Sequence, residues 1–207
     1  MLELFLELGN LKRLPRTGWL LRGIPNPEPI AAHSYRVATI TLFLADELKS
    51  RGVEIDVEKA LKIALLHDAG EARITDVPLP AQRYFNKVEG EVKALGEMLS
   101  ITGREGEYLS LFREYEEELS VEGKLVKFAD RLEMLIQAYE YEKAGFANLD
   151  EFWRTVEKLR ESELYEYFRD IVEGLVERRK KLHRGLAHSH YNNPQLPVEK
   201  SSKSQMR

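Results

Sequence analysis

The feature that most limits how this chain can fold is a three- to four-residue spacing of apolar side chains, which recurs in nearly every long segment. Between residues 33 and 48 the spaced row consists of His33, Val37, Ile40, Leu44 and Leu48. Side chains with this spacing lie on one face of an α-helix. No segment shows a convincing alternation of apolar and polar residues, which would indicate a β-strand. The sequence therefore predicts an all-α fold, a compact bundle of six or more helices.

The same spacing predicts where the helices lie. They are expected over residues 33–48, 57–68, 84–101, 106–119, 122–143, 150–160 and 163–183. Residues 57–68 are apolar on most sides, which predicts a buried helix. Proline-rich residues 22–30 and 76–80 predict extended breaks. From His188 on the periodicity is lost, so residues 1–187 are expected to form one domain and residues 188–207 a flexible tail.

Composition excludes several classes of protein. The chain has 207 residues and no cysteine, which rules out disulfides, thiolate metal sites and cysteine nucleophiles. The net charge is −4, with acidic and basic residues interspersed, which argues against binding of a nucleic acid polymer. No apolar stretch reaches the length of a membrane span, and the first residues do not resemble a signal peptide. We therefore expect no membrane association and a cytoplasmic location.

Ionisable side chains interrupt the apolar rows of three predicted helices. His33 occupies the row of its helix, His67 and Asp68 end the apolar run at 63–66, and Asp130 lies beside the row of helix 122–143. Buried and unpaired, each group would cost several kcal/mol, so they are expected to meet. Two imidazoles and two carboxylates suit one divalent metal ion. From spacing alone, ordinary alternatives stay open: hydrogen-bonded core histidines, or an ion pair of Asp130 with its neighbour.

The sequence around these residues resembles a known family. The stretches "LKRLPRTGWLLRGI", "HSYRVA", "ALLHDAGEARITDVP" and "KFADRLEMLIQAYEYEKAG" are similar, in order and spacing, to the HD-domain 5′-deoxynucleotidases over roughly residues 9–180. The resemblance implies that His33, His67, Asp68 and Asp130 bind one divalent transition metal ion (Mn, Co, Zn, Ni or Fe, with Mg also possible). HD-domain proteins with two metal ions use additional histidines between Asp68 and His183; this chain has none there, so a single ion is expected.

The resemblance also implies roles around the metal. Glu71 is expected to be the catalytic acid/base, and Asp76 to contact the sugar or assist Glu71. One arginine of this segment is expected to bind the 5′-phosphate, and we take it to be Arg16. Trp19 is expected to lie beside the nucleotide. The residues alone leave other interpretations open. In these interpretations Glu71 is a solvated glutamate that pairs with Arg73 or a lysine, and Asp76 is a turn or capping residue. Trp19 is then a core residue, and the arginines are charged residues of the surface.

The function implied by the resemblance is metal-dependent hydrolysis of (deoxy)ribonucleoside 5′-monophosphates to nucleoside and phosphate. A homodimer or a larger homo-oligomer is implied as well. Two alternatives are kept. One is another HD-type nucleotide phosphohydrolase, acting on a triphosphate, a cyclic nucleotide or an alarmone. The other is a non-catalytic nucleotide-binding protein, which would have no need of the full set of ligands and Glu71.

Overall fold

The computed structural model of the protein describes residues 1–191, which are largely helical. The α-helices are α1 (Leu2–Leu8), α2 (Thr17–Leu20), α3 (Ile30–Ser50), α4 (Val57–Leu66), α5 (Glu71–Ile74), α6 (Leu79–Gln82), α7 (Lys87–Leu99), α8 (Glu105–Glu116), α9 (Val121–Lys143), α10 (Asp150–Trp153), α11 (Thr155–Arg160) and α12 (Tyr165–Tyr191). Short 3₁₀ helices cover Gly9–Lys12 and Ser100–Thr102. Within residues 1–191 there is no β-strand, which confirms the predicted all-α fold.

The predicted helix 57–68 is wrong at its carboxyl end. Helix α4 ends at Leu66, and the chain continues through tight turns in which Ala69 N donates to Leu66 O and Glu71 N donates to Asp68 O. These three-residue turns replace the four-residue hydrogen bonds of an α-helix. The sequence between His67 and Gly70 is therefore a turn between two helices, which directs its polar side chains to one side.

Other boundaries also differ from the prediction. Helices α1, α2, α5 and α6 were not predicted, because seven residues or fewer are too short to show a helical repeat. The predicted helix 150–160 is divided into α10 and α11 at Arg154. The last helix has a kink at Phe168 and continues to Tyr191, past its predicted end at residue 183. Residues 192–207, most of the predicted tail, lie outside the described residues, so the domain boundary stays a prediction.

Side-chain caps fix the beginnings of three helices that position the site. Asp56 accepts a hydrogen bond from Lys59 N at the start of α4, and Asn86 accepts one from Glu89 N at the start of α7. Ser120 caps α9 in the same way. Each cap satisfies a backbone N–H that has no partner within its own helix.

Helices α3, α4, α8 and α9 pack together around a small apolar cluster. This cluster consists of Val37, Ile63, Ala64, Leu111, Tyr115, Val126 and Ala129. Helices α8 and α9 come so close that a Cβ built at Gly123 would lie 2.1 Å from the carbonyl oxygen of Glu114. The cluster supports the polar residues at the inner ends of the helices, and the helix bundle thereby fixes their positions.

Among the described residues, no helix is both long enough and apolar enough to cross a membrane.

Candidate metal centre and substrate cavity

Three parts of the chain bring polar side chains to one buried point. Helix α3 supplies His33, helix α9 supplies Asp130, and the turn after α4 supplies His67 and Asp68. His33 Nε2 lies 3.4 Å from His67 Nε2 and 3.2 Å from Asp130 Oδ1. Asp68 Oδ2 lies 3.3 Å from His67 Nε2 and 3.6 Å from His33 Nε2. The four residues predicted as metal ligands therefore meet in the structure.

The protonation of the two imidazoles follows from their other nitrogen atoms. His67 Nδ1 lies 2.7 Å from the carbonyl oxygen of Ala64, and His33 Nδ1 lies 2.5 Å from Glu133 Oε2. Carbonyl and carboxylate oxygens accept hydrogen bonds, so each Nδ1 carries the proton and, in the neutral ring, each Nε2 carries a lone pair. Two lone pairs and the oxygens of Asp68 and Asp130 thus point toward each other.

This concentration of electron-rich atoms favours a positive charge. Burial lowers the pKa of His67, which favours the neutral, metal-binding form. Burial also lowers the pKa of His33, but hydrogen bonds to Asp130 and Glu133 outweigh burial and raise it to about 10. The site thus attracts either a proton or another cation. One ligand atom from each of His33, His67 and Asp130 lies within 4.8 Å of the others. Asp68 Oδ2 joins them through its distances of 3.3 and 3.6 Å to the two imidazole nitrogens. Two imidazoles and two carboxylates are donors that suit one divalent transition metal ion.

A second set of side chains holds the ligands in place. Glu133, which is fully buried, accepts a hydrogen bond from Arg36 Nε at 2.8 Å in addition to its contact with His33. Tyr115 Oη donates to Asp130 Oδ2 at 2.9 Å. Partners of this kind fix the orientation of metal ligands and raise the basicity of imidazoles.

Glu71 lies beside this centre and is completely buried. Its carboxylate forms an ion pair with Lys87 Nζ at 3.0 Å, and Lys87 also pairs with Glu91 at 3.1 Å. Burial and the nearby charge of Asp68 raise the pKa of Glu71 to about 9, against the effect of Lys87. The alternative of a solvated glutamate paired with Arg73 is therefore wrong, although a lysine is indeed its partner. A divalent cation at the centre would lower this pKa by adding positive charge.

Asp76 joins two distant parts of the chain. Its Oδ2 accepts hydrogen bonds from Thr17 N at 2.5 Å and from Thr17 Oγ1 at 3.1 Å, and Thr17 Oγ1 also donates to Asp76 O at 2.8 Å. The preceding Thr75 has a φ of 67°, a backbone region that β-branched residues rarely adopt. Asp76 thus caps the start of α2, and it is also one of the residues that line the cavity described below.

The residues before and within α2 occupy different environments. Arg16 Nη1 lies 3.1 Å from Asp68 Oδ2 at the edge of the centre. Trp19 has only 2% of its surface exposed, and its ring packs 4.0 Å from that of Phe152 and 5.2 Å from that of Tyr141, measured between ring centroids. Trp19 is therefore largely a core residue that reaches the cavity wall, as the alternative interpretation proposed.

The neighbouring arginines have partners away from the centre. Arg13 donates to Asn10 Oδ1 at 2.7 Å, and Arg22 forms an ion pair with Glu151. Of these three arginines, Arg16 is the one that contacts a predicted metal ligand.

A cavity of about 690 Å³ opens onto the centre. Its inner end is lined by charged residues, which include Arg16, Asp68, Asp76, Lys87 and Asp130. Apolar side chains line other parts of the wall, among them Leu21, Val77, Leu79, Phe85, Val88 and Met134. A volume of this size is typical of sites for small molecules.

Comparison with known proteins assigns this architecture to a family. A family model described as "HD domain" matches residues 8–171, most of the chain. The protein belongs to the HD-domain family. The match spans all four residues of the centre, together with Arg16, Trp19, Glu71 and Asp76.

Individual HD-domain proteins are similar to this chain over most of their length. The 5′-deoxynucleotidase HDDC2 of Danio rerio is 38% identical over 148 residues, covering 69% of this chain and 70% of the relative. The protein of the same name from Dictyostelium discoideum is 40% identical over 147 residues, covering 69% and 77%. A solved structure of a conserved hypothetical protein from Pyrococcus furiosus is 57% identical, covers 86% of this chain and 99% of its own, and superposes with a TM-score of 0.80.

Several residues around the centre of this HD-domain protein were not predicted from its sequence. Glu133 and Tyr115 hold metal ligands, and Lys87 and Glu91 surround Glu71. Glu133 could have been found, because it follows Asp130 by three residues and so shares its helical face. Lys87 carries no such local signal, since it begins a separate helix.

Proposed function

We propose that this protein is a metal-dependent 5′-deoxynucleotidase, which hydrolyses deoxyribonucleoside 5′-monophosphates to nucleosides and inorganic phosphate. The observation that carries the proposal is the convergence of two imidazole lone pairs and two carboxylates at the inner end of a cavity, with Arg16 beside them. Relatives at 38% and 40% identity are named 5′-deoxynucleotidases, which supports the same reaction here.

The cavity has the charge and size for a nucleoside monophosphate. Its phosphate carries close to two negative charges near neutral pH. The guanidinium of Arg16 can bind two phosphoryl oxygens at once, and the ammonium of Lys87 adds positive charge nearby. The apolar wall is suited to the base and the sugar. Trp19 is also among the residues that line the cavity.

The reaction is a direct hydrolysis. A divalent ion held by His33, His67, Asp68 and Asp130 would supply Lewis-acid activation of the phosphate and of water. Glu71 orients the attacking water and takes a proton from it, while Arg16 neutralises charge on the phosphoryl oxygens. The water oxygen bonds to phosphorus as the bond to the 5′-oxygen breaks, and the leaving 5′-oxygen receives the proton that Glu71 took from the water. No side chain is assigned as a nucleophile, so no covalent phosphoenzyme forms.

Two further features are proposed from the family resemblance. We expect the protein to work in the cytoplasm, where nucleotides are metabolised, and to form a homodimer or a larger homo-oligomer.

A substrate panel tests the function. The purified protein is assayed for phosphate release from deoxyribonucleoside and ribonucleoside 5′-monophosphates, triphosphates, cyclic nucleotides and guanosine alarmones, with Mn²⁺, Co²⁺ or Mg²⁺ added. We expect deoxyribonucleoside 5′-monophosphates to be the best substrates and Asp68→Ala to be inactive. Preferred turnover of triphosphates, cyclic nucleotides or alarmones would overturn the proposal, and tight nucleotide binding without any turnover would favour a non-catalytic binding protein.

A further inference from the structure

Lys87 lies beside a group of three buried carboxylates next to the metal centre and forms ion pairs with two of them. Its Nζ is 3.0 Å from Glu71 Oε1 and 3.1 Å from Glu91 Oε1. One carboxylate oxygen from each of Asp68, Glu71 and Glu91 lies within 4.8 Å of the others, and all three residues are buried. When all three are ionised, carboxylates at this spacing repel one another strongly in a buried environment. The ammonium of Lys87 supplies positive charge at this point.

The same three carboxylates form a set of ligands that a divalent cation could use. Hard divalent cations prefer carboxylate oxygens. Both oxygens of Glu71 are buried and accept no hydrogen bond from the described residues, although Lys87 lies close to one of them. Asp68 also contacts both imidazoles of the first centre, so a cation in the carboxylate cluster would share Asp68 with it. Hydrolases with two metal ions hold them about 3.5–4 Å apart in this way.

The backbone fixes the position of Lys87. Helix α7, which begins with Lys87, packs against α5, which begins with Glu71, and against the turn that carries Asp68. A Cβ built at Gly70 in that turn would lie 3.1 Å from the carbonyl oxygen of Glu91, so helix and turn are nearly in contact. The Lys87 side chain is 23% exposed and lines the cavity. Its ammonium is therefore part of the cavity wall.

We infer that Lys87 is a built-in substitute for a second divalent cation: its ammonium fills the cluster of Asp68, Glu71 and Glu91, limits the centre to one metal ion and holds Glu71 in position. The role of Glu71 in this inference rests on the proposed function. Lys87 acts through Glu71, so it is a positioning residue. It provides the positive charge that a second ion provides in a two-metal hydrolase.

The inference predicts two linked effects when the ammonium is removed. In Lys87→Ala the three carboxylates lose their cation, and the cluster becomes able to bind a divalent ion. The carboxylate of Glu71 also loses the partner that orients it, so kcat should fall by about 10-fold or more while KM changes less. Lys87→Arg keeps a positive charge in the cluster and should restore much of the turnover.

The chain offers a closely matched control. Lys59 Nζ also joins two glutamates, lying 2.7 Å from Glu114 Oε2 and 3.3 Å from Glu122 Oε2. Lys59 is 30% exposed and does not line the cavity. Lys59→Ala therefore removes a similar double ion pair from the same protein without touching the centre.

The experiment measures bound Mn²⁺ per chain, by equilibrium dialysis and elemental analysis, together with kcat and KM on the best nucleotide. We expect one Mn²⁺ in the wild type, Lys59→Ala and Lys87→Arg, and two in Lys87→Ala. Lys87→Met, which keeps most of the side-chain volume, replaces Lys87→Ala where circular dichroism shows that the latter is unfolded.

Two results would overturn the inference: a single Mn²⁺ in Lys87→Ala, or a kcat for that variant equal to that of Lys59→Ala. Failure of the proposed function is recognised separately, because the wild type would then release no phosphate from any nucleotide. In that case the Mn²⁺ stoichiometry alone decides whether Lys87 replaces an ion.

Discussion

His33 Nε2 and His67 Nε2 face each other at 3.4 Å, and each ring has its Nδ1 beside an oxygen that only accepts hydrogen bonds. In the metal-free protein His33 carries an additional proton on Nε2, so that two lone pairs no longer face each other. This proton is held because hydrogen bonds to Asp130 and Glu133 raise the pKa of His33 to about 10 despite its burial. A metal ion requires the neutral ring, so metal binding must displace this proton.

We therefore predict that binding of Mn²⁺ at pH 7.5 releases at least one proton, from His33, and up to one more from Glu71, whose pKa of about 9 the ion would lower. The apparent affinity should rise at least about 10-fold per pH unit and level off above the pKa of His33. Titration calorimetry in buffers of different ionisation enthalpy measures the number of protons released. The same heat in every buffer would contradict the prediction.

The raised pKa of His33 also predicts how the metal-free fold responds to pH. A pKa that is higher in the folded state stabilises the fold below the ordinary value of 6.5, and this stabilisation is lost as the pH rises toward 10. Urea unfolding of metal-free protein should therefore show the contribution of His33 decreasing over this range. The metal-loaded protein, whose His33 is already neutral, should lack this decrease.

Glu133 is predicted to set the affinity for the metal. Glu133→Gln weakens the interaction that orients His33 and raises its basicity, so the Kd for Mn²⁺ should rise about 10- to 100-fold. Glu140→Gln is the matched control, because Glu140 also pairs with Arg36, at 2.8 Å, but has no contact with His33. Equal Kd values for the two variants would show that the contact between Glu133 and His33 has no such role.

Glu71 is predicted to act on the reaction and not on metal binding. Glu71→Gln keeps the shape of the side chain but cannot take a proton, so kcat should fall about 10²- to 10⁴-fold with the metal content unchanged. Glu142→Gln provides a control, since Glu142 is also buried and paired, with Arg179 at 2.8 Å, but lies outside the cavity. Near-normal turnover of Glu71→Gln would remove Glu71 from the mechanism.

Asp76 is predicted to contribute by holding Arg16 in place through Thr17. Asp76→Ala removes the oxygen that accepts from Thr17 N and Oγ1, so the segment loosens and kcat/KM should fall, on the order of 100-fold, mainly through KM. Thr17→Val, which keeps the backbone N–H, should lower kcat/KM much less. A fall in kcat with unchanged KM would instead place Asp76 in the chemical step.

How much the sequence predicted depends on whether a feature is local. The row of Leu125, Ala129 and Leu132 is contained within one helix, so the pattern located α9 well. The four proposed metal ligands stood out because polar residues interrupt such rows, and the resemblance to the HD-domain 5′-deoxynucleotidases implied their role. The bond between Thr17 and Asp76 joins residues 59 positions apart, and nothing in either neighbourhood indicates the other.

The role of Lys87 also could not be predicted from the sequence. In the sequence it is one charged residue among many in the predicted helix 84–101. Its importance comes from the packing of α7 against the turn at Gly70, which brings it to Glu71. A contact of this kind is set by the tertiary structure, and no spacing rule describes it.

Gly123 gives a prediction about the fold itself. A Cβ at this position would lie 2.1 Å from the carbonyl oxygen of Glu114 and 2.8 Å from its carbonyl carbon, and both atoms are backbone. Gly123→Ala must therefore push apart α8 and α9, the helices that carry Tyr115 and Asp130, which should lower the free energy of unfolding by about 3 kcal/mol or more. Both loss of stability and weaker metal binding should appear.

The control for this prediction is Gly174→Ala on α12. Gly174 lies within a helix, and a Cβ there would have no neighbour within 4 Å. Alanine should stabilise the protein at this position by about 0.5–1 kcal/mol, because it restricts the unfolded chain and favours the helix. Thermal unfolding of the two variants should therefore shift Tm in opposite directions. Equal shifts would mean that α8 and α9 can separate at little cost, and that the bundle does not fix the centre as tightly as this close contact indicates.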